Sequence, residues 1–147
     1  MHIRCYRDDD FPALCQIFLR AVRETASQHY TPAQIDAWAQ LDETRWHQRL
    51  ARSYVQVATI DSQPVGFITA VEGYIDLLFV APDFSRQGIA NALLNRLFTD
   101  IPTGTLTVDA SITARPCFER QGFHVVAEQE VEVRGEQFVN YRMEKIR

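Results

Sequence analysis

The chain has 147 residues, 46% of them hydrophobic, so it can bury a sizeable core and is too apolar to stay disordered. Its length suits a single domain over residues 1–147. Fifteen basic against nineteen acidic side chains leave a net charge of −4 and no basic stripe, which argues against nucleic acid as the main partner.

Ile3 to Arg7 reads as a first strand. Asp8, Asp9 and Asp10 then precede Phe11 and Pro12, an acidic cap with a proline in the first turn, and Phe11, Leu14, Cys15, Phe18 and Val22 recur at helical spacing. The pattern stops near Ser27, and Ser27 to Tyr30 reads as a loop. Thr31 and Pro32 repeat the cap-and-proline signal, with Ile35, Trp38 and Leu41 on one face; Asp42 or Thr44 caps a further helix carrying Trp46 and Leu50. These short pieces mix aromatic and polar residues, which suggests a mobile cover rather than core.

Tyr54 to Ile60 and Val65 to Val71 read as a hairpin around the turn Asp61–Pro64, and Tyr74 to Val80 as the next strand after Gly73. Strict alternation would send Tyr74, Asp76, Leu78 and Val80 one way and Ile75, Leu77 and Phe79 the other. Both faces are largely apolar, so this strand is expected in the middle of the sheet. Ile89, Ala90, Leu93, Leu94, Leu97 and Phe98 mark a helix, Thr105 to Asp109 a strand, and Thr113 to Gln121 a short helix ending at Gly122. Val125–Val133 and Phe138–Met143, joined by Arg134 to Glu136, close the chain with a second hairpin. The order predicts an α/β fold: a central mixed sheet of about seven strands with helices on both faces.

Cys5, Cys15 and Cys117 are odd in number and irregular in spacing, so they read as reduced thiols in a cytoplasmic protein. The four histidines lack metal-ligand spacing, so no metal is expected. The early charges of MHIRCYRDDD argue against a signal peptide, and no apolar run is long enough to span a membrane.

The stretch SRQGIA (Ser85–Ala90) links a strand to a helix. A helix N-terminus carries unpaired amides and partial positive charge, and Gly88 admits close approach of a ligand; the competing reading is a plain tight turn. Neither a P-loop nor a G-x-G-x-x-G pattern is present. VAPDFSRQGIA (Val80–Ala90) resembles motif A of the GNAT family of N-acetyltransferases. Gly88 and Ala90 match it, whereas Ser85 falls where the family has Arg or Gln; Arg86 beside it compensates. ARPCFERQGF (Ala114–Phe123) resembles motif B. HYTPAQIDAW (His29–Trp38), with RGE (Arg134–Glu136) and NYRMEK (Asn140–Lys145), is similar to one branch, the YafP-like acetyltransferases. The resemblance covers nearly the whole chain.

It implies a GNAT-like splayed sheet in which Tyr74–Val80 parts from Thr105–Asp109. Acetyl-CoA would lie in the gap, its pantetheine arm against the backbone of Leu78, Phe79 and Val80. Its pyrophosphate would sit on the amides of Arg86, Gln87, Gly88, Ile89, Ala90 and Asn91, with Ser85 at the rim and Ser111 and Phe118 nearby. Ser111 either caps the short helix or touches the cofactor.

Acetyl transfer needs a neutral amine, and an alkylammonium has a pKa of about 10.4, so a base must take its proton. Asp76, close to where the thioester should sit, is the first candidate, or else it is a structural carboxylate paired with an arginine; Glu72 is the second. The Leu78 or Phe79 amide would serve the oxyanion. Phe118 stands where many relatives have an acidic tyrosine, which leaves Tyr74, Tyr141, a water or unassisted thiolate departure; Cys117 beside it reads as a small buried residue. His29, Tyr30 and Trp38 either line an acceptor pocket suited to a cyclic or aromatic amine, or are surface and core residues. The expected function is N-acetyl transfer to a primary amine of a small molecule by direct attack in a ternary complex, with the net acidity slightly favouring a cationic amine. The alternatives are a non-catalytic acyl-CoA-binding module and acetylation of a protein or an aminoacyl-tRNA. No membrane partner is expected, and the protein is read as a monomer or homodimer.

Overall fold

The computed structural model describes residues Met1–Arg147. Seven strands form one sheet: β1 (His2–Cys5), β2 (Tyr54–Ile60), β3 (Gln63–Val71), β4 (Tyr74–Val80), β5 (Thr105–Ala110), β6 (His124–Val133) and β7 (Glu136–Ile146), in the order β1-β2-β3-β4-β5-β7-β6. Every neighbouring pair is antiparallel except β4 with β5. That pair needs a crossover, and the helix α4 (Ile89–Asp100) supplies it. No helix is long and apolar enough to cross a membrane.

One face of the sheet carries α1 (Phe11–Arg20), α2 (Pro32–Trp38) and α3 (Glu43–Ala51). Leu14, Phe18, Ile35, Trp46 and Leu50 pack there on Val57, Phe67 and Leu77. The other face carries α4 and α5 (Arg115–Arg120), with Leu93, Leu94, Leu97 and Phe118 on Ile68, Ile75, Leu106 and Met143. β4 is covered on both sides, as its double apolar pattern implied.

The local signals act with some changes of role. Thr31 and Gln34 form a reciprocal capping box at the start of α2, and the Asp42 carboxylate accepts the Arg45 amide to cap α3. Asp10 does not cap α1. Its carboxylate accepts 2.8 Å hydrogen bonds from both terminal nitrogens of Arg4 and one from the Arg7 amide, pinning the first strand to the first helix. These bonds, above all those from Arg4, outweigh burial and hold its carboxyl below the usual range. α1 also outlasts a regular helix: it continues as a wider π turn over Ala21–Thr25 and a tight turn over Ala26–Gln28.

Two expectations are corrected. The segment after residue 30 is no mobile cover, because Ile35, Trp46 and Leu50 are buried in the main core. Short amphipathic helices look dispensable until the sheet face that needs them is visible. The first hairpin is also tighter than expected: Asp61 and Ser62 alone make the turn, both at positive φ, and Gln63 already belongs to β3.

Because Leu50 is only 3% exposed, Leu50→Ala should lower the unfolding free energy by about 3 kcal/mol in a denaturant titration. A loss below about 1 kcal/mol would show that α3 is peripheral to the core.

Candidate active site

Parallel pairing between β4 and β5 is confined to Tyr74 with Thr107 and Ile75 with Val108. Beyond Ile75 the strands part, and β4 runs on to Val80 paired only with β3. At the same point the β3–β4 register shifts, so that Thr69 faces Leu77 and Ala70 faces Ile75. Asp76 has no residue opposite it: it is a β-bulge, which bends the strand and sharpens its twist.

The bulge overturns the expected alternation. Ile75, Leu78 and Val80 pack with the α4 side of the sheet, whereas Leu77 and Phe79 pack with the α1–α3 side. Asp76 joins the second group by pairing with Arg49 of α3, with Nε to Oδ2 at 2.6 Å and Nη2 to Oδ1 at 2.7 Å. Asp76 and Leu78 therefore lie on opposite faces. The Asp76 carboxylate in turn raises Arg49 above its ordinary value.

The splay opens a cleft of about 500 Å³. Asp76, Leu78 and Phe79 line one wall, and Asp109, Ser111 and Phe118 the other. Tyr74 sits at the apex and donates its hydroxyl proton to Asp109 at 3.0 Å. Burial, and then this hydrogen bond, push Tyr74 up to about 12, so it remains a phenol at neutral pH. Asp109 also accepts from Arg142 at 2.7 Å and Gln129 at 3.0 Å. Burial pushes its carboxyl up, but the donors from Arg142, Tyr74 and Gln129 together outweigh burial and hold it below the usual range.

The Ser85–Ala90 turn follows β4 after Ala81 and a short 3-10 turn over Pro82–Phe84. Gly88 has φ +79°, and nothing lies within 4 Å of where its Cβ would stand. Arg86 also has positive φ, and Ser85 to Gly88 are exposed. The first α4 bond runs from the Ala92 amide to the Gly88 carbonyl, and no side chain caps the helix. The amides of Arg86, Gln87, Gly88, Ile89, Ala90 and Asn91 thus have no acceptor within the chain. Ser85 turns its hydroxyl back to the Pro82 carbonyl, and Arg20 of α1 grips the neighbouring Asp83 through two nitrogens at 3.1 Å. One residue seats α4 closely on the sheet: at Gly66 of β3 a Cβ would stand 3.0 Å from the Ile89 side chain and 3.1 Å from the Phe79 carbonyl.

Tyr30 and Trp38 come together with Phe138 of β7, at ring separations of 5.4 to 6.3 Å, and the group lines the cleft. The Tyr30 hydroxyl accepts the Ile112 amide at 2.8 Å. His29 lies outside the cleft lining, on the surface, with Nδ1 2.9 Å from the Thr113 hydroxyl. Glu72 also lies outside it, on the exposed β3–β4 turn at φ +50°. Ser111 accepts the Ala114 amide and so caps the turn into α5, while its side of the loop lines the cleft. Cys117, its thiol pushed up by burial, points to Asn91 at 3.6 Å.

Several cleft residues escaped the sequence reading: Arg49, Asp109, Arg134, Phe138 and Asn140. Arg49 meets Asp76 across 27 positions, and Arg142 meets Asp109 across 33. Only an unpaired carboxylate on a two-sided apolar strand hinted that an arginine must arrive from elsewhere.

The acetyltransferase (GNAT) domain family matches residues 26–145. The chain is 57% identical to the N-acetyltransferase YafP of Escherichia coli K12 over 97% of this chain and 94% of that protein. It is 32% identical to the peptidyl-lysine N-acetyltransferase YjaB of Salmonella typhimurium LT2 over 54% of this chain and 56% of that one. The crystal structure of a GCN5-related N-acetyltransferase from Rhodopseudomonas palustris superposes with a TM-score of 0.92 at 29% identity, covering 99% of this chain and 95% of that one. The chain belongs to the GNAT family and is an acetyl-CoA-dependent N-acetyltransferase.

Asp109→Asn should lower the melting temperature at neutral pH, because Arg142 and Tyr74 lose their charged partner. A carboxyl depressed in the folded state stabilises it above the unfolded pKa and stops doing so as pH falls through the folded value. The gap to wild type should therefore narrow below about pH 4. A gap independent of pH from 7 down to about 3 would mean that the Asp109 charge contributes nothing to stability.

Proposed function

We propose that the enzyme acetylates a primary amine of a small molecule, by direct attack with both substrates bound. The observation that carries the reading is the unbroken run of free amides from Arg86 to Asn91, set one short turn beyond the edge of β4 that β5 leaves unpaired. The residues present fit acetyl-CoA. The open space around Gly88 admits a diphosphate against the amides, and the splay leaves room beside β4 for a thin chain that carries its own amide groups.

When bound, acetyl-CoA supplies an activated thioester. The chain's own residues then have separate tasks. The amides of Arg86 to Asn91 hold the diphosphate, and the backbone of Leu78, Phe79 and Val80 orients the arm. Ser111 and Phe118 bound the gap from the opposite wall. A Leu78 or Phe79 amide donates to the negative charge that develops on the acyl oxygen. Asp76 takes a proton from the amine, directly or through water. Its carboxylate has about four acceptor sites, and Arg49 occupies two, so two remain. Across the reaction the alkylammonium gives up two protons, one to the departing thiolate and one to solvent. Phe118 cannot donate, the Tyr74 proton is committed to Asp109, and Tyr141 lies outside the cleft lining, so the thiolate leaves either unassisted or with a proton from water; a thiol pKa of about 8.5 makes unassisted departure feasible.

The small-molecule reading is supported by α2, which closes one side of the cleft. Gln34 donates to the Gln137 carbonyl at 2.7 Å, Arg134 donates to the Ala37 carbonyl at 2.8 Å, and Tyr30, Trp38 and Phe138 pack between them. The likeness to a peptidyl-lysine enzyme over half of the chain favours a lysine side chain as the second reading.

Calorimetry should show acetyl-CoA binding that is weakened at least about tenfold by Gly88→Val, since a β-branched residue costs roughly 1–2 kcal/mol in the left-handed region and crowds the amides. Unchanged affinity in that variant would remove the turn from the cofactor site. Asp76→Asn should lower kcat by about a hundredfold or more. Retention of activity within about threefold across pH would leave Asp76 a purely structural partner of Arg49.

A further inference from the structure

Four charged side chains line the cleft: Arg49, Asp76, Asp109 and Arg134. Three of them are compensated. Arg49 and Asp76 hold each other through two hydrogen bonds, and Asp109 is held by Arg142 from outside the lining. Arg134 differs. It stands at the β6–β7 turn with φ +47°, and one of its N–H groups donates to the Ala37 carbonyl near the end of α2. It forms no ion pair, although Glu132 and Glu136 lie two residues away on either side.

A guanidinium has five N–H donors in a planar fork that matches a carboxylate edge. Capping the last carbonyls of a helix uses one of them, and a lysine would do as well. Arg134 is exposed and lines the cleft together with Trp38 and Phe138, and its remaining donors have no partner within the chain. Asn140 adds another: its Oδ1 accepts from Gln129, so its amide nitrogen is left as a free donor. No carboxylate of the cleft is without an arginine, so a second cationic group on an acceptor would find no counter-charge.

Building on the acetyltransferase reading above, we infer that Arg134 anchors a carboxylate on the acceptor, so that the acceptor is an aminocarboxylate. This reverses the slight preference for a cationic amine that net charge suggested. The net charge of −4 describes the whole surface, whereas the cleft itself carries one uncompensated positive charge. The carboxylate belongs either to a free small molecule or to an acidic residue near a peptide lysine; the anchoring chemistry is the same.

The test compares para-(aminomethyl)benzoate with para-(aminomethyl)benzamide, which share an amine and a ring and differ in charge. Thiol release is measured with saturating acetyl-CoA, and binding is measured by calorimetry on protein loaded with desulfo-CoA. Wild type should prefer the benzoate by about tenfold in kcat/KM and in affinity, the scale of a charge-assisted hydrogen bond. The preference should lie in KM rather than kcat, fall to about one in Arg134→Gln, and survive in part in Arg134→Lys. Equal use and equal binding of the two benzylamines by wild type, together with equal use of a Glu-bearing lysine peptide and its Gln counterpart, would overturn the inference. So would Arg134→Gln costing both compounds alike, which would reduce Arg134 to a helix cap. A Glu-bearing lysine peptide favoured over its Gln counterpart, with no preference between the benzylamines, would keep the anchor and place the carboxylate on a peptide. Failure of acetyl-CoA to bind sinks the reading of the cofactor turn; normal binding without any carboxylate preference sinks only the anchor.

Discussion

The site depends on one interruption: β4 loses its second neighbour after Ile75. A strand in the middle of a sheet normally spends the backbone groups of both edges on ladders, and unpaired groups there must find water or a ligand. The break coincides with the bulge at Asp76, where one extra residue on β4 bends it on the β3 side just as β5 falls away on the other. The sheet survives because each face has its own core. α1 to α3 clamp one side of β4 and α4 the other, and the strand is held by packing where hydrogen bonds are missing. Gly66 sharpens this: its missing side chain lets Ile89, at the start of α4, settle against β3 next to the Phe79 carbonyl. The free amides of the helix and the free edge of the strand are thereby brought to one side of the sheet.

The bulge also decides where the charges go. It turns Asp76 to the α3 face, within reach of Arg49, and so away from the face that Leu78 shares with α4. On the other wall Tyr74, Gln129 and Arg142 converge on Asp109. Both carboxylates sit in partly buried positions where a lone charge would be costly, and both are satisfied by arginines anchored elsewhere. The two pairs brace the walls of the cleft: one ties α3 to β4, and the other ties β5 to β7 and β6.

The fold was legible where local chemistry dominates. The bounds of β2 and β4 follow from their apolar runs, α2 from its threonine cap and proline, and α4 from its leucine spacing. The Ser85–Ala90 turn was legible because free amides at a helix start, with a glycine at positive φ, are written in adjacent residues. What escaped was non-local. A bulge is a mismatch between two strands, so no pattern within Tyr74–Val80 alone reports it. The burial of Ile35, Trp46 and Leu50 depends on a sheet face formed later in the chain. Asp10 looked like a cap because its neighbours suit one, but Arg4 offers two charged donors and outcompetes a helix end.

The same contrast separates the two halves of the site. The half proposed to hold the cofactor is built of backbone, and backbone amides tolerate changes of side chain. That is why Ser85 can stand where the family has a longer residue: its hydroxyl merely closes the turn on Pro82, and the amides that follow stay free. The acceptor half is built of side chains from segments more than a hundred positions apart, as where Gln34 meets Gln137. A constraint carried by backbone geometry depends little on which side chains surround it, whereas one carried by converging side chains depends on each of them. On the reading proposed above, the reaction is written in a short motif, and the choice of acceptor in the packing of α2 against the last hairpin.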